Sequence, residues 1–207
     1  MASLASVVAG VAGVGLAYVL AAGRFPGRGV VEALTSLPLT LPPTVLGYYL
    51  LVLLGRRSPV GLWVEATFGV PLVFTWQGAV VAAAVPSLPL VVRTVRAAFA
   101  EVPAEVLEAA RMDGAGWLHQ LAYVLLPLSR RGIVAGVSLG FARALGDFGT
   151  TLMVAGNIPG RTQTLPIALY DAVQAGRWET AGLLAVLLGA VAVGVLVAVS
   201  RLGEGVL

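Results

Sequence analysis

The sequence of 207 residues contains no cysteine, no lysine and a single histidine, His119. Without cysteine there is no disulfide, no thiolate nucleophile and no thiolate ligand for a metal. One histidine excludes a metal site built from several histidines of one chain. A phosphate-binding P-loop needs a lysine that reaches the terminal phosphates, so the chain carries no standard loop of that kind. We therefore expect this chain to bind neither a metal nor a cofactor.

Charged residues are also scarce, at 11% of the chain, against about 25% in a soluble domain. Apolar residues make up 58%, and the mean hydropathy is +0.94. These values exclude an ordinary soluble globule and a disordered chain. The net charge of +3 is small and the arginines are spread along the sequence, whereas nucleic-acid binding requires a basic stripe. We expect no nucleic-acid partner.

Five hydrophobic segments are each long enough to cross a bilayer at roughly 20 residues per helix. They predict an all-α fold, a polytopic transmembrane bundle that forms one domain over residues 1–207. Pro42 and Pro43 predict an irregular start to the second segment, and Pro86 and Pro89 a kink in the third. The apolar stretch 60–74 is expected to be interfacial or re-entrant. The segments lie at about 4–22, 37–54, 72–92, 133–155 and 181–200.

The first segment is interpreted as a retained helix, because no basic residue precedes it and its apolar run is too long for a signal peptide. Arginine placement favours an outside N-terminus and a cytoplasmic C-terminus. The inner segments then hold Arg24, Arg28, Arg93, Arg96, Arg111, Arg130, Arg131 and Arg201, and the outer ones Arg56, Arg57, Arg161 and Arg177.

The stretch 93–131 is the one long polar loop. Pro103 suits a first helical position, and Gly114 can end that helix in a left-handed conformation. A second apolar-periodic helix follows and is expected to end at Pro127. The loop therefore predicts two short helices around a glycine on the inner membrane surface. An amphipathic hairpin that rests on lipid headgroups fits the same pattern.

The run Glu108-Ala109-Ala110-Arg111-Met112-Asp113-Gly114, with Leu126-Pro127 after it, resembles the EAA signature of ABC importer permeases. The resemblance implies that the first loop helix is a coupling helix, which docks in a groove of a cytoplasmic ATPase. It assigns ATPase coupling to Glu108, Ala109, Ala110, Asp113, Gly114, Leu126 and Pro127. It also implies a non-catalytic chain in a prokaryotic plasma (inner) membrane. Its expected partners are a second copy, two ATPase subunits that use ATP and Mg, an external binding protein and the lipid bilayer.

The segments 37–48, 142–149, 156–160 and 162–170 resemble the molybdate and tungstate branch of these permeases. Sulfate permeases share Asn157-Ile158-Pro159 but diverge afterwards, so a sulfate or thiosulfate permease is the first alternative. The resemblance implies alternating access driven by the ATPase. A passive channel is a further alternative, which predicts uptake without nucleotide.

The predicted translocation pathway includes Thr40, Pro42, Pro43, Arg143 and Asp147. Arg143 lies ten residues into the fourth segment, roughly 15 Å deep, where a charge costs about 2.5–3.5 kcal/mol. Asp147 follows at i+4 and can pair with it. Either the arginines of two copies meet the anion, or the pair fixes helix packing. We favour the second interpretation, because family members with different substrates carry similar residues.

Gly132, Gly136 and Gly140 form a small-residue stripe that predicts a helix-packing face, within the chain or between two copies. The same stretch matches the G-x-S-x-G nucleophile elbow at Ser138. That motif requires a strand–turn–helix context, whereas here it lies within a predicted span. An intramembrane hydrolase is therefore a remote alternative, and no catalytic residue is assigned.

Overall fold

The computed structural model describes residues 1–23 and 25–204, and all regular elements in that part are helical. The predicted all-α fold class is confirmed. Arg24, assigned above to the inner side, lies outside the described residues. The helices are α1 Ala2–Ala22, α2 Arg28–Thr40, α3 Pro43–Leu54, α4 Pro59–Phe68, α5 Trp76–Ala100, α6 Ala104–Met112, α7 Trp117–Gln120, α8 Leu126–Leu128, α9 Arg130–Leu145, α10 Gly149–Ala155, α11 Leu165–Gln174 and α12 Trp178–Glu204. A π-helical turn, Leu121–Leu125, joins α7 to α8.

Three described helices, α1, α5 and α12, are individually long and apolar enough to cross a bilayer. Two bent pairs bring the number of possible spans to 5. In the first pair α2 meets α3 at 120°, and in the second the helix 117–128 meets α9 at 79°. The sharp bend after α2 falls at Leu41 and Pro42, where the two adjacent prolines predict an irregular start.

Helices α1, α5 and α9 pack on one another and enclose the main hydrophobic core. Small residues let them approach closely: Ala5, Ala9 and Ala17 of α1 are buried. The glycine stripe of α9 lies against α5, and a Cβ atom on Gly132 would come within 2.3 Å of the Ala98 Cβ. The stripe is therefore a packing face, as predicted, and it packs within the chain.

The bundle has two ends, which fix the directions of its helices. At the Met1 end, the starts of α1 and α5 and the end of α9 line a common cavity with residues 163–166. At the loop end, Tyr18 of α1 and Phe99 of α5 lie beside Leu107 of α6. Helices α1 and α5 thus run in the same direction, and α9 packs against both and runs in the opposite direction.

Two peripheral pairs complete the fold. Helices α3 and α10 pack together at the Met1 end, where the Thr150 hydroxyl donates to the Pro43 carbonyl at 3.3 Å. Helix α2 lies on the loop-end half of α5, where polar contacts join the two helices. The Arg96 guanidinium lies 2.7 Å from the Glu32 carboxylate, and Arg93 donates to the Ser36 hydroxyl at 3.1 Å. No residue of α2 is buried.

Several predicted boundaries differ from the observed ones. Residues 93–100, assigned to the polar loop, continue α5, because Val95 and Phe99 are buried in the core. Pro86 and Pro89 lie inside this one uninterrupted helix. The segment 133–155 is interrupted at 146–148, between α9 and α10.

Pro127 does not end the second loop helix, which runs on to Leu128. The π-helical turn just before it has wider hydrogen-bonded rings, and such a turn accommodates a residue that lacks a backbone N–H group. Pro103 precedes the first loop helix, as its N-cap, and does not occupy the first helical position.

The stretch 60–74 forms a short helix and a bend. Helix α4 has 10 residues, about 15 Å of length, which is half of a hydrocarbon core. Ser58 caps it by accepting from the Gly61 amide at 2.8 Å. Its aromatic residues Trp63 and Phe68 are exposed and contact each other edge to face. An interfacial position for α4 stays a prediction.

The close approach of α1 to α5 predicts different effects for two neighbouring glycines. A Cβ atom on Gly13 would lie 2.7 Å from a Val91 methyl and 2.9 Å from its Cβ, whereas one on Gly15 would meet nothing within 4 Å. We expect Gly13→Ala to destabilise the protein by about 1–3 kcal/mol through overpacking. Gly15→Ala, on the same helix, should be neutral or slightly stabilising. Thermal unfolding in detergent compares them, and equal midpoints would contradict the α1–α5 packing.

Candidate functional site

Helix α6 carries the Glu108–Gly114 run and ends as its sequence predicts. The Gly114 backbone is left-handed, at φ +82°. Its amide donates to the Arg111 carbonyl at 3.0 Å, and the Ala115 amide donates to the Ala110 carbonyl at 2.9 Å. These two bonds form a Schellman-type end, which satisfies carbonyls that the helix end leaves free. The run is therefore a short helix with a sharply defined end.

The α6 side chains face away from the bundle. None is buried, and only Leu107 and Ala110 are half-buried. Leu107 packs against the main core, so one residue anchors the helix. Glu108, Ala109 and Asp113 are exposed, and within the described chain neither carboxylate has a hydrogen-bonding or ion-pair partner. The predicted coupling residues of α6 thus form a free surface at the loop end.

Leu126 and Pro127 lie apart from the exposed face of α6. Leu126 packs against the main core. Pro127 is exposed and lines a shallow cavity with Pro103, at the start of α6. Close by, the buried Ser129 hydroxyl donates to the Ala98 carbonyl at 3.2 Å, which ties the end of the loop to α5. Leu126 and Pro127 therefore belong to the part of the bundle that supports α6, and not to its exposed face.

Large apolar side chains surround α6 and are exposed, a feature that the sequence pattern did not predict. Met112 is 84% exposed, Tyr123 70% and Trp117 62%. Trp117, Leu118 and Tyr123 line one open cavity together, and such exposed apolar surface on a folded protein marks an interaction site. The sequence did contain a signal of this exposure. The two short helices of the polar loop carry apolar residues on every side, and so short a helix cannot bury all of them. We call the following residues the loop patch: Val106, Met112, Trp117, Leu118, Tyr123 and Leu128.

Arg143 and Asp147 form an ion pair across the break between α9 and α10. The Arg143 Nη1 atom lies 3.2 Å from Asp147 Oδ1. Asp147 Oδ2 accepts from the Thr151 hydroxyl at 2.7 Å and from the Thr151 amide at 2.9 Å. The Asp147 side chain is fully buried and the Arg143 side chain is 28% exposed. The carboxylate therefore joins the last turn of α9 to the first turn of α10.

Pro43 lies near the start of α10, next to this ion pair, whereas Thr40 is not hydrogen-bonded to the pair. A Cβ atom on Gly149, the first residue of α10, would lie 3.0 Å from the Pro43 Cβ. Pro42 is exposed at the bend before α3. The Thr40 hydroxyl donates to the Leu37 carbonyl of its own helix. The structure thus brings Pro43 to the α10 start and leaves Thr40 on α2.

The catalytic alternative finds no support in the local geometry. Ser138 lies in the middle of α9, a continuous helix from Arg130 to Leu145, and not in a strand–turn–helix elbow. His119 lies on α7, where its ring contacts Tyr123 at 4.4 Å between centroids. Among the described residues, no group of three or more His, Asp or Glu side chains could hold a metal ion.

Comparison with known proteins gives consistent matches over nearly the whole chain. Residues 11–204 match a family model described as "Binding-protein-dependent transport system inner membrane component". The chain is 44% identical over 162 residues to the molybdenum transport system permease protein ModB of Escherichia coli K12, covering 78% of this chain and 71% of that protein. It is 39% identical over 173 residues to the sulfate transport system permease protein CysT of the same strain, covering 84% and 62%.

Among solved structures, a chain from the inward-facing MetNI methionine ABC transporter superposes with a TM-score of 0.68. The match covers 97% of this chain and 87% of that chain, at 21% sequence identity. It shows that the two chains share a fold.

The ion pair predicts non-additive effects of substitution. Asp147→Asn leaves the Arg143 guanidinium without its carboxylate, and Arg143→Gln leaves a buried carboxylate held by Thr151 alone. We expect each variant to lose about 2 kcal/mol of unfolding free energy. The double variant should lose clearly less than the two together, because it leaves neither charge unpaired. Unfolding in detergent, followed by circular dichroism, measures this cycle; additive losses would show that the two side chains do not interact.

Proposed function

The chain belongs to the family of binding-protein-dependent transport system inner membrane components, and from this we propose that it is the permease subunit of an ATP-driven oxyanion importer. The proposed cargo is a tetrahedral dianion, molybdate or tungstate, which the 44% identity to a molybdenum permease supports. The chain is a multi-pass membrane protein and a transport subunit. We propose a prokaryotic plasma membrane, with the loop end of the bundle in the cytoplasm and the N-terminus outside.

One observation carries this proposal: a short helix with a complete EAA run is exposed on the end of a rigid bundle. Its unpaired Glu108 carboxylate can meet a basic residue of a partner, and the small side chains of Ala109 and Ala110 allow close approach. The loop patch supplies apolar surface around it. We propose that α6 docks in a groove of a cytoplasmic ATPase, which hydrolyses ATP with Mg.

The need for such a partner follows from the charge of the cargo. Moving one negative charge inward against an interior-negative potential costs about 2.3 kcal/mol per 100 mV. A dianion costs roughly twice as much, before any concentration gradient. Passive uptake of a trace oxyanion therefore fails. The chain contains no lysine and hence no standard P-loop, so the energy comes from the ATPase.

The proposed cycle is alternating access. ATP draws two ATPase subunits together, and their grooves carry the two α6 helices with them. Because α6 is mounted on the ends of α5 and α9, the helix bundles rock and the pathway opens outward. An external binding protein then releases its anion into the pathway. Hydrolysis separates the ATPases and reverses the motion.

A second copy of the chain is part of the proposed assembly. Up to 5 spans are few for enclosing a pathway. In the most apolar 18-residue stretch of α12, only 6% is buried within the described chain. In the corresponding stretch of α5, 67% is buried. Such a surface requires lipid or another apolar partner. We propose a homodimer in which lipid and the second copy share this surface.

The pathway residues are proposed in two roles. Arg143 and Asp147 fix the break between α9 and α10, because the carboxylate already accepts three hydrogen bonds from within the chain. Thr40, Pro42 and Pro43 lie at the bend between α2 and α3. We propose that this bend and the adjoining start of α10 line the route of the anion.

Sulfate is the second candidate cargo, since the sulfate permease CysT is 39% identical over 84% of this chain. Sulfate and molybdate are both tetrahedral dianions, so the membrane subunit alone discriminates weakly between them. The proposed binding protein sets most of the specificity. This alternative changes the cargo and leaves the coupling mechanism intact.

Uptake in vesicles tests the proposal. Vesicles that contain this permease and its ATPase, with the binding protein outside, should accumulate molybdate only with internal ATP. Unlabelled tungstate should compete at similar concentrations, whereas sulfate should need a large excess. Competition by sulfate at equal concentration would favour the sulfate permease. Accumulation without nucleotide would favour a passive channel, and a Ser138→Ala variant that retains ATP-driven uptake would exclude the hydrolase.

Gly114→Asp tests the coupling role separately from folding. A Cβ atom on Gly114 would meet nothing within 4 Å in the described part of the chain, so an aspartate places a carboxylate in the docking surface without a clash. The left-handed backbone strains any L side chain at this position, and the control variant below carries the same strain. A hot-spot loss of about 2 kcal/mol at such an interface corresponds to roughly 30-fold weaker docking. We expect normal membrane insertion and loss of ATP-driven uptake.

Gly176→Asp is the matched control, because Gly176 also has a positive φ, of +68°, and open space around its Cβ position. It lies at the turn between α11 and α12, and α11 begins at the Met1 end of the bundle, opposite α6. This variant should insert and transport normally. Normal ATP-dependent uptake by Gly114→Asp, or equal loss in both variants, would contradict the coupling role of α6.

A further inference from the structure

A cavity of about 810 Å³ lies at the loop end of the bundle, beside α6. Three arginines from three different helices line it: Arg28 of α2, Arg96 of α5 and Arg111 of α6. Tyr18, Phe99 and Leu107 form an apolar part of its wall. A half-open space with cationic groups on one part and apolar groups on another suits an amphipathic anion.

The guanidinium groups in this cavity are only partly neutralised. Arg28 and Arg96 share one carboxylate oxygen, Glu32 Oε1, at 3.2 Å and 2.7 Å. Arg28 also donates to the Gly23 carbonyl at 3.4 Å. Within the described chain, Arg111 has no ion-pair partner, and neither has Glu108, the acidic residue that lines the cavity. Three cations thus face two anions, and several N–H groups remain free to donate.

The charge and shape of the cavity indicate its ligand. Guanidinium groups present N–H donors in a planar fork that matches the oxygens of phosphate. Basic pockets between helices on the cytoplasmic side of membrane proteins suit lipid headgroups. On α2, which supplies Arg28, Val30 and Leu34 are exposed apolar residues that can contact an acyl chain. We propose that this arginine cavity binds a phosphate group, which either an anionic phospholipid or free phosphate supplies.

Such a ligand would act on the coupling helix. Arg96 is fixed on the central helix α5, whereas α6 is anchored in the core through Leu107 alone. A phosphate held between Arg96 and Arg111 therefore adds a second attachment for α6. The inference goes beyond the proposed transport function and does not depend on which anion is transported.

Binding to the purified full chain in detergent tests the proposal, with native mass spectrometry as the readout. The probes are phosphatidylglycerol, phosphatidylcholine and inorganic phosphate. We expect one tightly bound phosphatidylglycerol and weaker, non-saturating phosphatidylcholine. Arg96→Gln and Arg111→Gln should each weaken phosphatidylglycerol binding about fivefold, as expected for one arginine near an anionic headgroup. Inorganic phosphate that binds with the same dependence on both arginines would identify free phosphate as the source.

Two variants provide matched controls. Arg93→Gln also removes a polar contact between α2 and α5, but Arg93 does not line the cavity. Arg130→Gln removes an exposed positive charge at the loop end, beside a different cavity. Both should bind phosphatidylglycerol within twofold of the unchanged chain. The proposal would be overturned by any of three results. A control variant loses as much phosphatidylglycerol affinity as Arg96→Gln, or neither Arg96→Gln nor Arg111→Gln changes that affinity. The third is that molybdate binds more tightly than phosphatidylglycerol and inorganic phosphate.

Arg111→Gln keeps the test valid if Arg96→Gln disturbs the fold. Arg111 is exposed, and within the described chain it has no ion pair that the substitution would break. A folded Arg111→Gln chain that keeps full phosphatidylglycerol affinity would by itself overturn the proposal.

Discussion

The contact between α5 and α9 determines how the rest of the structure is held. Gly132 lets the start of α9 lie directly against Ala98, and the buried Ser129 hydroxyl donates to the Ala98 carbonyl. These residues stand on either side of the long loop, so both of its ends are fixed at one place. A side chain larger than hydrogen at Gly132 cannot be accommodated without moving a helix. Helix α6, the proposed coupling helix, is therefore mounted on a base formed by α5 and α9, and a force applied to it would reach both helices together.

At the C-terminal end of α9, the hydrogen bonds of one buried carboxylate, Asp147, hold the chain in place. The chain leaves helical geometry at 146–148, yet Asp147 compensates by accepting from Arg143 before the break and from Thr151 after it. A buried carboxylate is stable only when its hydrogen-bonding capacity is met in this way. After the break, α10 packs on α3. The Arg143–Asp147 pair, which we favoured as a helix-packing contact from the sequence, thus joins α9 to α10 at the Met1 end of the bundle.

The sequence predicted features that depend on neighbouring residues. The left-handed Gly114 and the end of α6 follow from local capping, and the bend at Pro42 follows from two adjacent prolines. The sequence did not reveal that α5 runs on to Ala100, because that extension depends on burial against distant residues. It also did not reveal the exposure of Trp117. Trp117 lies on a helix of only four residues, and its exposure depends on which distant residues pack against that helix, which periodicity does not give.

On the proposed function, the distribution of arginines explains how the chain would conduct an anion without retaining it. An unpaired arginine in a low-dielectric pathway attracts a dianion strongly, and tight binding there slows its release. Arg143 is instead paired with a fully buried carboxylate, which lowers the attraction. The partly neutralised arginines Arg28, Arg96 and Arg111 lie together at the loop end, beside α6. In the proposed function, the external binding protein selects the cargo. The three arginines at the loop end would then act on α6 and not on the transported anion.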